Sequence, residues 1–86
     1  MTSLATPITF RSGATARNRL ALAPLTNQQS HADGTISRDE HAWLERRAAG
    51  GFAIVETCAA HVSRDGQGFR GQLGVWGDHQ LPGLRG

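Results

Sequence analysis

Leu20-Ala21-Leu22-Ala23-Pro24-Leu25-Thr26-Asn27 is a short apolar run that breaks abruptly into hydrogen-bonding side chains. Residues 20–23 have the content of a strand. Pro24 holds Ala23 extended and has no N–H to give a sheet ladder, so regular pairing stops there. Thr26, Asn27, Gln28, Gln29, Ser30 and His31 follow with no apolar period. In an α/β protein, polar groups just past the carboxyl end of a buried strand sit where ligands bind. On this stretch alone an ordinary polar loop is the plainer reading, and its surroundings have to decide.

Upstream, residues 7–10 have the β-rich content of a short strand and Ser12-Gly13-Ala14 suits a turn. A second extended piece from about Asn18 into residue 20 would complete a hairpin. Downstream, Asp33-Gly34 marks a turn, and Ser37-Arg38-Asp39-Glu40 reads as a capping box. In that motif Ser37 accepts from the Glu40 amide while the Glu40 carboxylate reaches back to the Ser37 amide. A helix is expected over residues 38–49, with Gly50 as a left-handed C-cap and Arg46 and Arg47 at the negative end of its dipole. Leu44 and Ala48, flanked by His41 and Trp43, would face the sheet.

Residues 52–55, Phe-Ala-Ile-Val, are apolar on both faces, the pattern of a parallel strand covered on each side. Strand, helix and strand make one βαβ unit. Glu56, Thr57 and Cys58 then meet the edge already reached by Thr26. Residues 63–77 are glycine-rich and read as a long loop anchored by Leu73, Val75 and Trp76. Asp78 resembles an N-cap, with Leu81 and Leu84 opening another apolar helical face.

Composition narrows the class. The chain has 86 residues, 38% hydrophobic and 19% charged. It suits one small domain that would bury roughly 60–65% of its unfolded surface. No apolar run approaches the roughly 20 residues of a membrane span, and the N-terminus lacks signal-peptide order. The expectation is a soluble, cytoplasmic protein without a membrane partner. A single cysteine, Cys58, excludes an internal disulfide. The formal charge of +2 comes from scattered arginines with no lysine, which argues against a nucleic-acid partner.

Other constellations are weaker. Gly66-Gln67-Gly68-Phe69-Arg70-Gly71 fits the dinucleotide pattern G-x-G-x-x-G, but it neither leaves a strand directly nor precedes a good helix start. Cys58 with His61, His31 and His41 lacks the second close pair of a usual zinc site. Cys58 with a histidine lacks an orienting third group for nucleophilic catalysis. Glu56 could be a general base, although a carboxylate in this place is more often paired with an arginine.

Thr6-Pro7-Ile8-Thr9-Phe10, Asn18-Arg19, Ala23-Pro24-Leu25-Thr26, Arg47-Ala48 with Gly50-Gly51, Glu56, and Leu73-Gly74-Val75-Trp76 with Asp78 together resemble, in order and spacing, the N-terminal part of the old yellow enzyme family. The resemblance implies the α/β fold of a (β/α)₈ TIM barrel, of which residues 1–86 would be an incomplete N-terminal segment of one FMN-binding domain. The pieces would be the bottom hairpin, strand 1, helix 1, strand 2, a long loop and the start of helix 2. The family's enzymes use NADH or NADPH to reduce activated carbon–carbon double bonds of small-molecule acceptors.

By that resemblance Ala23, Pro24, Leu25 and Thr26 run along the flavin, and Thr57 meets the pyrimidine edge of its ring. Thr26 falls where relatives place Thr or Cys at the reactive region. Gln28 stands where many bacterial relatives have an aromatic residue shaping the substrate pocket, so the substrate preference is open. A barrel of this kind takes about 250 residues. The family's substrate-orienting His pair, proton-donating Tyr and phosphate-binding residues belong beyond residue 86, so this chain carries no catalytic residue and needs the remainder of the barrel. The alternative is a stand-alone, non-catalytic α/β binding or assembly module.

Overall fold

A hairpin comes first in the computed structural model, which describes residues 3–86; the first two residues of the expected segment lie outside it. Strands β1 (Ile8–Thr9) and β2 (Thr15–Ala16) pair antiparallel, Ile8 opposite Ala16 and Thr9 opposite Thr15. The Thr9 and Thr15 hydroxyls lie 3.0 Å apart across the pair. The turn closes through the Phe10 amide on the Ala14 carbonyl at 2.8 Å, with Gly13 at φ 94°. The returning strand is thus residues 15–16, not the expected extension from Asn18. Asn18 is diverted: its Nδ2 donates to the Gly51 carbonyl at 2.6 Å and its Oδ1 accepts from the Leu20 amide at 2.9 Å. Beside it, Arg17 Nη2 donates to the carbonyls of Ala48 and Phe52 at 2.8 and 2.9 Å.

Strands β3 (Ala21–Leu22) and β4 (Ile54–Val55) then form the expected parallel pair, Ala21 opposite Ile54 and Leu22 opposite Val55. Both are shorter than residues 20–23 and 52–55, since Pro24 removes a ladder donor at one end. At the other, the Ala53 amide reaches the Leu20 carbonyl at 3.1 Å without extending the strands.

Between them runs α1 (Arg38–Ala49), with the bounds and cap expected from sequence. Ser37 is extended, and its Oγ accepts from the Glu40 amide at 3.0 Å. Only half of the capping box forms, because the Glu40 carboxylate points elsewhere. The left-handed residue is Gly51, at φ 123°, and not Gly50, whose amide continues the helix onto the Arg46 carbonyl at 3.0 Å. Glu40 is the only buried side chain of α1, while Leu44 is half-buried and Ala48 exposed. Two short strands are too narrow a surface to cover the whole apolar stripe of a 12-residue helix.

The glycine-rich stretch has more order than a long loop. His61 pairs in parallel with Gly74: its amide donates to the Leu73 carbonyl and its carbonyl accepts from the Val75 amide, both at 3.0 Å. The Gly74 amide continues this layer onto the Gly34 carbonyl at 2.8 Å. Leu73 is the anchor expected of it, half-buried Trp76 contributes less, and Val75 is exposed. A 3-10 turn, Asp78–Gln80, leads into α2 (Leu81–Arg85), and Gly77, not Asp78, holds the N-cap position. The reason is Gln80, whose Oε1 accepts from the amides of Trp76 and Gly77 at 2.8 and 3.1 Å and supplies the cap from inside the turn.

The apolar core among the described residues is small: Ala16, Cys58 and Leu73. Leu20, Leu25 and Ile54 are 41%, 47% and 41% exposed, so Ile54, expected within a strand covered on each side, stands open.

Candidate cofactor site at the strand ends

Because β3 and β4 are parallel and adjacent, whatever follows each emerges at one edge of the pair. After β3 come Ala23, Pro24, Leu25 and Thr26, all exposed, then half-buried Asn27 and exposed Gln28. After β4 come exposed Glu56 and Thr57 and buried Cys58. Among the described residues, no hydrogen bond engages the backbone amides of Leu25, Thr26, Asn27 or Gln28. An exposed run of unpaired donors beside a hydroxyl side chain is a surface suited to a planar, hydrogen-bonding ligand. The Thr57 hydroxyl donates to the Cys58 carbonyl at 3.1 Å, which fixes that side chain against its own backbone.

Gln28 takes the left-handed conformation at φ 53°, uncommon for a residue with a side chain. Gly71, at φ 83°, has its Cα against the Gln28 backbone so closely that a Cβ there would collide with the Gln28 carbonyl, and its own carbonyl accepts from the Ser30 amide at 3.0 Å. Gln28, Ser30, Ala32, Arg70 and Gly71 surround a depression of about 400 Å³. Gly71 therefore serves as a close-packing residue, and the Gly66–Gly71 motif opens no helix.

Beneath these loops sits Glu40, 0% exposed. Its Oε2 accepts from the Ser30 hydroxyl and its Oε1 from the Cys58 thiol at 3.4 Å. Burial pushes the Cys58 thiol above its ordinary range, a backbone hydrogen bond to Leu73 works against this, and the neighbouring Glu40 carboxylate raises it further. The thiol thus keeps its proton at neutral pH and is a donor, not a nucleophile. Sequence reasoning missed this role of Glu40, since its partners are 10 and 18 residues away.

The expected arginine partner of Glu56 is absent: among the described residues the ion pair joins His41 and Glu45, at 3.4 Å. His61 is buried, its Nδ1 donating to the Ser63 carbonyl at 2.8 Å. Among the described residues no three His, Cys, Asp or Glu side chains gather to hold a metal ion.

A parallel pair joined by a crossover helix, with open backbone and polar side chains past its carboxyl ends, is the βαβ unit that parallel α/β folds, β/α barrels among them, repeat around a ligand-bearing end. Residues 3–86 match the NADH:flavin oxidoreductase / NADH oxidase family. The chain belongs to that family. A probable NADH-dependent flavin oxidoreductase of Bacillus subtilis is 42% identical over 79 residues, covering 92% of this chain and 21% of its own length. NADH:acrylate oxidoreductase of Vibrio harveyi is 33% identical over 84 residues, 98% of this chain and 8% of the relative. The solved old yellow enzyme homologue of Zymomonas mobilis superposes with a TM-score of 0.83 at 30% identity, over 94% of this chain and 22% of that one. The chain thus spans about a fifth of the B. subtilis relative, and its fold is the N-terminal portion of a (β/α)₈ barrel.

Proposed function

We propose that this chain forms the first side of the FMN site of a barrel oxidoreductase that draws on NADH or NADPH to reduce activated carbon–carbon double bonds or related acceptors. The observation that carries it is the single edge where residues 23–28 and 56–58 emerge from paired parallel strands, in a chain of this family. That a relative acts on acrylate, an activated alkene, supports the acceptor class. Residues 1–86 are then part of one FMN-binding barrel domain, and the remainder of the barrel completes the site. We place the protein in the cytoplasm.

The residues present fit one edge of a flavin ring. Bound there, FMN would supply two-electron transfer between the nicotinamide and the acceptor. Ala23, Pro24 and Leu25 would line it with backbone, and Thr57 would meet its pyrimidine edge. Thr26 would donate a hydrogen bond to negative charge arriving on reduction, and a positioned donor in a partly dry site favours the reduced form. Gln28, packed against Gly71, would shape the acceptor pocket.

The test is redox titration of the full-length protein that carries this segment. Thr26→Ala should keep FMN bound and lower its potential. A hydrogen bond to a charged group is worth roughly 1.5–3 kcal/mol, or about 30–65 mV for a two-electron couple. An unchanged potential would remove Thr26 from this role.

A further inference from the structure

Glu40 has no place in the flavin contacts just assigned, yet it is the most deeply buried charged side chain described, at 0% exposure. No described ion pair includes it. Its two oxygens go to the hydroxyl of Ser30 and the thiol of Cys58. Ser30 lies four residues after Thr26, on the loop leaving β3, and Cys58 directly follows Thr57, on the loop leaving β4. One carboxyl group on the crossover helix therefore fastens together the two segments that leave the parallel strands at the proposed ring.

We infer that Glu40 is a positioning residue for the flavin, setting the spacing between the Thr26 and Thr57 segments through Ser30 and Cys58. The inference rests on the proposed flavin site. A carboxylate with two oxygens and no hydrogens suits the task, because both loops present donors. An amide would have to turn N–H toward one of them. The helix supplies rigidity: the Glu40 amide is already bound by Ser37 Oγ at 3.0 Å, so the backbone from which the side chain projects is fixed. Ser30 is also held from the far side, through the Gly71 carbonyl at 3.0 Å. Ser30 is thus held on two sides, by Glu40 through its hydroxyl and by Gly71 through its amide.

Full-length protein variants Glu40→Gln, Cys58→Ala and Cys58→Ser are to be compared for FMN dissociation constant, visible flavin spectrum and midpoint potential, alongside thermal unfolding. Glu40→Gln and Cys58→Ala should weaken FMN at least about fivefold, as loss of one buried hydrogen bond converts to affinity. They should also displace the flavin band and potential. Cys58→Ser, which keeps a donor for Glu40, should restore the wild-type spectrum and potential. If Glu40→Gln and Cys58→Ala lower only the unfolding temperature, with spectrum and potential of bound FMN as in wild type, Glu40 is a packing residue and the inference fails. Thr26→Ala, run in parallel, separates the two readings: a potential that moves with Thr26 but not with Glu40 sinks only the positioning role. Failure of both sinks the flavin assignment itself.

Discussion

Glu40 and Gln80 occupy the same place in their respective turns, three residues after the caps Ser37 and Gly77, and both are almost fully buried, at 0% and 1% exposure. Their side chains do opposite things. Gln80 folds back on its own turn, accepting from the amides of Trp76 and Gly77, and extends its Nε2 to the Asp33 carbonyl at 2.9 Å. Glu40 leaves its own turn to Ser37 and reaches Ser30 and Cys58. The chemistry of the head group decides. A carboxylate accepts only and goes where donors converge, whereas an amide can bridge free N–H groups to a carbonyl. One of two like positions therefore closes a local turn, and the other couples distant loops.

The largest test of this comparison is the 86-residue polypeptide by itself. Both side chains secure loops and neither covers the exposed apolar side chains of Leu20, Leu25 and Ile54. If they sufficed, the isolated chain would be stable and would bind flavin. We expect it instead to be colourless after dialysis against FMN, aggregation-prone, and inactive with NAD(P)H and an enone; a yellow, monomeric, active preparation would refute this.

Next in size is Gln80→Ala in the full-length protein. It leaves the amides of half-buried Trp76 and Gly77 without their partner, while the Asp33 carbonyl keeps His79 Nε2 at 3.3 Å, so at about 1 kcal/mol or more for each amide the loss should be about 2 kcal/mol. Chemical denaturation should record that loss while the potential of bound FMN stays put. A shifted potential would erase the contrast with Glu40. Smallest is Ser37→Ala, which removes an N-cap worth about 1 kcal/mol. Thermal unfolding should fall by a few degrees with turnover per flavin-loaded molecule unchanged, and a selective collapse of turnover would mean that cap and carboxylate act as one unit.

What could be read from sequence follows the range of the forces involved. The Ser37 cap, the 38–49 bounds of α1 and the β3–β4 pairing are written in neighbouring residues and in apolar runs, and all three are present. The Glu40 carboxylate went to the wrong partner because the capping-box rule weighs only local amides, while Ser30 and Cys58 arrive by tertiary folding. Gly71 carried no decipherable signal, since only the approach of the Gln28 backbone shows why a side chain cannot stand there. The start of the hairpin's return strand was misplaced by three residues because Asn18 looks extended and is in fact bonded to the turn after α1. Proximity of residues 23–26 to those after β4 was legible; the roles of Thr26, Thr57 and Gln28 came from family resemblance.

Asn18 has one more consequence, for the alignment of the central strands. A ladder of two residue pairs discriminates poorly against sliding, and a slip of one residue would turn every side chain of a strand to the opposite face. The Asn18 amide group touches both strands' approaches at once, holding the Leu20 amide on one side and the Gly51 carbonyl on the other. It fixes how far each strand has advanced before the first ladder bond forms. Displacing either strand by a residue would break one of these two bonds and carry Thr26 or Thr57 about 3.3 Å along the edge, so a side chain at the amino-terminal end of the sheet sets the alignment of groups at its carboxyl end.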